Sequence, residues 1–130
     1  MKALIQRVSS ASVSINNELF SEIGAGMLIL LGVEKTDSKI NAQLLAEKLI
    51  NLRIFEDENG KMNKSLLDIK GEILVVSQFT LVGDCKKGTR PSFDKSAPPD
   101  IAKKLYDEFV EIISGYGLNT QTGQFGSMGA

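Results

Sequence analysis

The stretch Glu72-Ile73-Leu74-Val75-Val76-Ser77-Gln78-Phe79-Thr80 decides how this chain is read. Its four central residues are apolar in succession, without the alternation of a strand that has one wet face. Such a run predicts a central strand covered on both sides. Met27-Leu28-Ile29-Leu30-Leu31-Gly32-Val33 is a second run of the same kind. Two such strands predict a sheet with other elements packed over it.

The remaining elements follow outward from these runs. Residues 3–8 read as a first strand. Ala11, Val13 and Ile15 alternate with serines, and Glu18 to Ile23 resumes strand character. Asn16-Asn17 between them suits a left-handed turn, so 11–23 is a hairpin. Thr36-Asp37-Ser38 offers N-caps for a helix ending near Asn51. Ile40, Leu44, Leu45, Leu49 and Leu52 are its expected apolar stripe, with Lys39, Gln43, Glu47 and Lys48 outside. Arg53 to Phe55 reads as a short strand, Asp57 to Gly60 as a turn, and Ser65 to Leu67 as a helical turn. Pro98-Pro99-Asp100 opens another helix. Its stripe is Ile101, Leu105, Phe109, Ile112 and Ile113. Leu118 to Gln121 is a last strand. The pattern is α/β: one β-rich domain over residues 1–130 with two main helices.

Composition narrows the chemistry. The 130 residues include one cysteine and no histidine. That excludes Ser-His-Asp and Cys-His pairs, imidazole bases and multi-cysteine metal sites. No metal or cofactor is expected. An enzyme of this composition must use hydroxyls, carboxylates, amines, backbone amides or its substrate. Fifteen Lys and Arg stand against sixteen Asp and Glu, a formal charge of -1. Any nucleic-acid surface must therefore be local. The longest apolar run falls far short of the roughly 20 residues that span a bilayer. The opening segment is too short and polar for an export signal, so a cytoplasmic protein without a membrane partner is expected.

Several places are candidates for chemistry. At Ser77-Gln78-Phe79-Thr80 an apolar strand ends in hydroxyls, an amide and a ring. Backbone N–H groups there can polarise a carbonyl, or Ser and Thr can simply satisfy the strand's last backbone groups. Lys86-Lys87-Gly88-Thr89-Arg90-Pro91 suits phosphate contacts or a solvated loop, and it lacks P-loop spacing. Arg7 and Arg53 sit beside apolar residues and need a partner or a route to solvent. Glu56, Asp57 and Glu58 read as a solvated turn or a hard-cation site. Cys85 has lysine neighbours that lower a thiol pKa, but no histidine serves as its base.

Six segments match together in order. They are Ile5-Gln6-Arg7-Val8, Asn51-Leu52-Arg53-Ile54-Phe55, Gly60-Lys61-Met62-Asn63, Val75-Val76-Ser77-Gln78-Phe79-Thr80-Leu81, Lys87-Gly88-Thr89-Arg90-Pro91-Ser92-Phe93 and Thr122-Gly123-Gln124-Phe125-Gly126. With them the chain resembles the D-aminoacyl-tRNA deacylase family, of the D-Tyr-tRNA deacylase type, over nearly all of residues 1–126. The resemblance implies mixed and antiparallel sheets forming a partly closed barrel, with the helices packed outside. It implies a homodimer that hydrolyses the ester of D-aminoacyl-tRNA, and of glycine mischarged onto tRNA-Ala. No side chain is needed as general base in that family; the terminal ribose hydroxyl assists. By resemblance Ser77, Gln78, Phe79 and Thr80 line the aminoacyl pocket. Phe125 and Gly126 lie near it, and Arg7 helps hold a Gly-Pro element. Lys86, Lys87 and Arg90 are assigned to tRNA phosphates on charge alone.

The family pattern continues into a further strand and an Asn-x-Gly-Pro-Val-Thr motif, whose Gly-cisPro peptide rejects L-amino acids. This sequence ends at Ala130 and contains no Gly-Pro pair. The expectation is a chain without the C-terminal strand, with weakened chiral rejection and an exposed sheet edge. An alternative expectation is an impaired homologue that binds tRNA ends or dimerises without turnover.

Overall fold

The structure, a computed structural model, describes residues 1–78 and 97–123. In chain order the elements are β1 (Lys2–Val8), β2 (Ala11–Ile15), β3 (Glu18–Ile23), β4 (Gly26–Gly32), α1 (Lys39–Asn51), β5 (Phe55–Glu56), β6 (Met62–Lys64), α2 (Leu66–Ile69), β7 (Glu72–Ser77), α3 (Pro99–Ser114) and β8 (Thr120–Thr122).

The main sheet has the order β1-β4-β7-β8. β1 runs antiparallel to β4, while β4, β7 and β8 are parallel. β7 is thus internal, as its unbroken apolar run predicts, and Ile73, Leu74, Val75 and Val76 are all buried. Parallel neighbours need long crossovers. The chain from β4 to β7 passes through α1, and the chain from β7 to β8 passes through α3. Both helices pack on one sheet face. Met27, Ile29, Leu31, Ile73 and Val75 meet Ala46, Ile50, Tyr106, Phe109 and Ile113 there. The opposite face is partly covered by the β2–β3 hairpin, where Ile23 packs on Leu74 and Val76. Asn16 and Asn17 both take positive φ, 52° and 66°, at the tip of that hairpin. Consecutive left-handed residues give the turn whose twist matches its strands.

Gly26 lets β4 begin tight against β7. A Cβ there would lie 1.8 Å from the Glu72 carbonyl oxygen. The side chain of Glu72 fastens the same end. One carboxylate oxygen accepts from the Gly24 N–H at 2.5 Å, and the other accepts from Asn119 Nδ2 at 2.9 Å. These bonds hold the carboxyl of Glu72 below the usual range, the Gly24 N–H being the larger cause.

The mixed α/β fold agrees with the sequence reading, and several details differ. The described strands form one four-stranded and two two-stranded sheets and do not close into a barrel. The inner face of α1 is Ala42, Ala46, Leu49 and Ile50, whereas Ile40 and Leu44 are 65% and 61% exposed. The expected stripe counted large residues. The helix instead turns its alanines inward, which lets its backbone approach its neighbours closely. On α3, Leu105, Phe109 and Ile113 are buried as expected, but Tyr106 is buried too and Ile101 is largely exposed. The two-residue strand before the acidic turn begins at Phe55, not Arg53, and the last strand lies at Thr120–Thr122. Among the described residues no helix is long and apolar enough to cross a membrane.

Candidate active site

Three parallel strands deliver their carboxyl ends to one edge of the sheet. Open α/β sheets characteristically bind ligands at such an edge. Leu31 of β4 stands level with Ser77 of β7, and Val75 stands level with Thr122 of β8. The Gln78 N–H donates to the Leu31 carbonyl at 2.8 Å, extending the ladder one step past Ser77. Ser77 and Gln78 are both half-buried. The Ala97 N–H donates to the Val33 carbonyl at 3.2 Å beside the same edge. Gly123 also lies at this edge, next to Val75. Of the residues expected at the site, Phe79, Thr80, Lys86, Lys87, Arg90, Phe125 and Gly126 lie outside the described residues, as does Cys85.

This edge is clamped from both faces. From α3 the buried Tyr106 hydroxyl donates to the Val75 carbonyl at 2.7 Å. The Gly123 N–H donates to that same carbonyl at 3.1 Å. Burial pushes the Tyr106 phenol up to about 12, Asp107 adding to the rise; bonds from Gly123 and Thr122 oppose it. The ring therefore stays a neutral donor at ordinary pH. From β3 the buried Ser21 hydroxyl donates to the Thr122 carbonyl at 2.7 Å. Neither residue was singled out by sequence reading. Tyr106 adjoins the α3 stripe, and a buried tyrosine needs a partner for its O–H; that was the available signal.

Arg7 sits elsewhere on the sheet. It pairs with Met27, which stands level with Ile73, four register positions from Ser77. At ~3.3 Å per residue that separates them by about 13 Å along the strands. Arg7 Nη1 donates to the Ile54 carbonyl at 3.1 Å, bracing the approach to β5. Arg53 lines an open cleft of about 560 Å³ with Asp57, Glu58, Asn63, Lys64 and Asp68. Asp57 there works as a turn closer. It accepts from the N–H groups of Asn59 (2.8 Å) and Lys61 (3.0 Å). Those bonds, Lys61 first, hold its carboxyl below the usual range. Among the described residues no group of three or more His, Cys, Asp or Glu side chains is placed to hold a metal ion.

What the edge offers is backbone. The Leu31, Val75 and Thr122 carbonyls are each taken by a donor within the chain, which fixes the strand ends. Backbone that continues from ends fixed in this way can orient a polar ester and polarise its carbonyl without a titrating side chain.

Comparison with known proteins places this geometry. The family model for D-Tyr-tRNA(Tyr) deacylase matches residues 4–130. The chain is 61% identical over 127 residues to the D-aminoacyl-tRNA deacylase of Thermosipho africanus, covering 98% of this chain and 85% of that protein. It is 56% identical to the enzyme of the same name from Thermodesulfovibrio yellowstonii, covering 98% of this chain and 87% of that one. Among solved structures it is similar to a c-Myc DNA unwinding element binding protein. That match has a TM-score of 0.91 at 41% identity over 97% of this chain and 86% of the other. A probable eukaryotic D-amino acid tRNA deacylase shares the fold, with a TM-score of 0.77 at 18% identity over 95% and 88% of the two chains. By its matched length and these identities, the chain belongs to the D-Tyr-tRNA(Tyr) deacylase family.

Proposed function

We propose that this chain hydrolyses the ester bond between a D-amino acid and the 3′ end of a tRNA, releasing tRNA and free amino acid. The observation that carries this reading is the clamped carboxyl edge of β7, where the family's Ser77-Gln78-Phe79-Thr80 segment begins. Ser77, Gln78, Phe79 and Thr80 line the aminoacyl pocket, with Phe125 and Gly126 beside it. Their backbone groups bind the ester carbonyl and the amino acid. Water attacks the carbonyl carbon, the bond to the ribose 3′ oxygen breaks, and the neighbouring 2′ hydroxyl assists proton transfer. A chain without histidine suits that division of labour. A pocket selecting against one side-chain direction cannot reject glycine, which lacks a side chain. Glycine mischarged onto tRNA-Ala, which the family resemblance implies, is a second substrate. Lys86, Lys87 and Arg90 contact tRNA phosphates. Charged tRNA places the activity in the cytoplasm.

The active form is a homodimer. Leu4, Leu19 and Phe20 are each at least half exposed, and Leu28 and Leu30 are half-buried on the hairpin side of the sheet. Exposed large apolar side chains beside this face suit a partner. Arg7, four register positions from Ser77 within one protomer, is assigned to the pocket across this dimer. The test is release of D-Tyr from D-Tyr-tRNA by purified protein. Loss faster than in buffer supports the reading; stability equal to the buffer control contradicts it.

A further inference from the structure

The tRNA must leave the pocket across one side of the carboxyl edge, and among the described residues the charges on that edge are unequally placed. Beside β8 the described residues are the uncharged Thr122 and Gly123. Beside β1 and β4 stand Lys2, level with Gly32, and Lys35 and Lys39 in the connection into α1. The row Ala3, Leu31, Ser77 crosses the sheet one register position below Lys2. With strands ~4.8 Å apart, this corner is about 10 Å from the β7 end. That is within reach of the last nucleotides of a bound acceptor end.

Two acids share the corner, Glu34 and Asp37, and both bind the chain's amino terminus. The Met1 ammonium lies 2.6 Å from Asp37 and 3.2 Å from Glu34. The Met1 side chain is 1% exposed and that of Asp37 5%. Asp37 also accepts from the Glu34 N–H at 2.7 Å. The Asp37 N–H donates to the Glu34 carbonyl at 3.0 Å, closing a turn that has Lys35 near its tip. Lys2, Lys35 and Lys39 are exposed, and the first turn of α1 carries no acid. Both acids thus engage the partly buried ammonium, Glu34 staying 24% exposed, and Lys2, Lys35 and Lys39 are the exposed charges of the corner. A chain of net charge -1 attracts a polyanion only through such a local patch.

We propose that Lys2, Lys35 and Lys39 form a phosphate-binding rim that carries the sugar-phosphate backbone of the tRNA acceptor end toward the pocket. The proposal rests on the deacylase reading and adds to it the side from which the RNA enters. Point charges on flexible stems position a backbone without reading bases. The rim therefore acts on KM and on salt dependence, and leaves kcat alone.

The test compares the full-length wild type, the double variant Lys35→Glu/Lys39→Glu, and Lys48→Glu. Lys48 is exposed at the far end of the same helix and controls for a charge reversal away from the rim, at half the charge change of the double variant. Deacylation of D-Tyr-tRNA is followed across a series of KCl concentrations, and binding of uncharged tRNA is measured alongside. The double variant is expected to raise KM and the tRNA Kd about tenfold near 0.1 M salt, and to lower the log–log salt slope by about 1 to 2. Its kcat stays within about twofold, and Lys48→Glu leaves both constants within about twofold. Unchanged Kd and slope in the double variant overturn the rim, as does an equal loss in Lys48→Glu. An inactive wild type overturns the deacylase reading, while uncharged-tRNA binding still judges the rim.

Discussion

The Tyr106 hydroxyl donates to the Val75 carbonyl at 2.7 Å, two residues before Ser77, and ties α3 to the strand that ends in the site. The same carbonyl takes the Gly123 N–H, so one oxygen joins β7, α3 and the residue that follows β8. Tyr106→Phe keeps the ring and removes the donor. The expected cost is about 1–2 kcal/mol by urea unfolding, with a several-fold fall in kcat as the edge loosens.

Alkali supplies an independent check on the same bond. The phenol titrates near 10 when unfolded and at about 12 when folded. Its contribution is full below the unfolded value and is lost as pH rises through the folded one. Wild-type stability should therefore decline between about pH 10 and 12, by on the order of 2–3 kcal/mol from this group. Tyr106→Phe should lack that part of the decline. Parallel urea midpoints against pH for the two proteins test it, and parallel curves throughout would contradict it.

Glu72 has the opposite sign. Its folded pKa is depressed by the Gly24 N–H and then by Asn119, so its contribution is present above the unfolded value. It is lost as pH falls through the folded value. Glu72→Gln should be less stable than wild type at neutral pH and should lose less on acidification from about pH 6 to pH 3. Thermal melts across that range give the comparison.

Helix packing makes a contrast that sequence periodicity alone misjudges. Phe109 is fully buried, and Phe109→Ala should cost about 3–5 kcal/mol. Ile40→Ser on the exposed face of α1 should stay within about 0.5 kcal/mol. Gly26→Ala should cost at least about 3 kcal/mol, because its new methyl meets the Glu72 backbone, which cannot rotate away. Denaturant midpoints of the three variants check the order.

Much of this fold was legible because the deciding signals are local. The apolar run of β7 and the Asn16-Asn17 turn each answer to a short-range rule. The inner face of α1 was not legible, because alanine and leucine carry similar helix signals and only the neighbouring sheet and helix α3 decide which turns inward. Of the candidate site, the sequence named the segment Ser77-Gln78 at the end of β7 but not the bonds that hold that end. The Tyr106–Val75 and Ser21–Thr122 bonds join residues 31 and 101 positions apart in sequence. Arg7 was named for the pocket from its sequence segment; within one protomer the register sets it four positions from Ser77, so that assignment rests on the proposed dimer.

The central claim is that backbone groups and the substrate's own hydroxyl perform the hydrolysis at this edge. The direct measurement is the turnover of D-Tyr-tRNA beside the same substrate ending in 2′-deoxyadenosine. The expected result is rapid hydrolysis of the first and a rate about 100-fold lower or less for the second, with little change in KM. Equal turnover of the two, or turnover of neither, would contradict it.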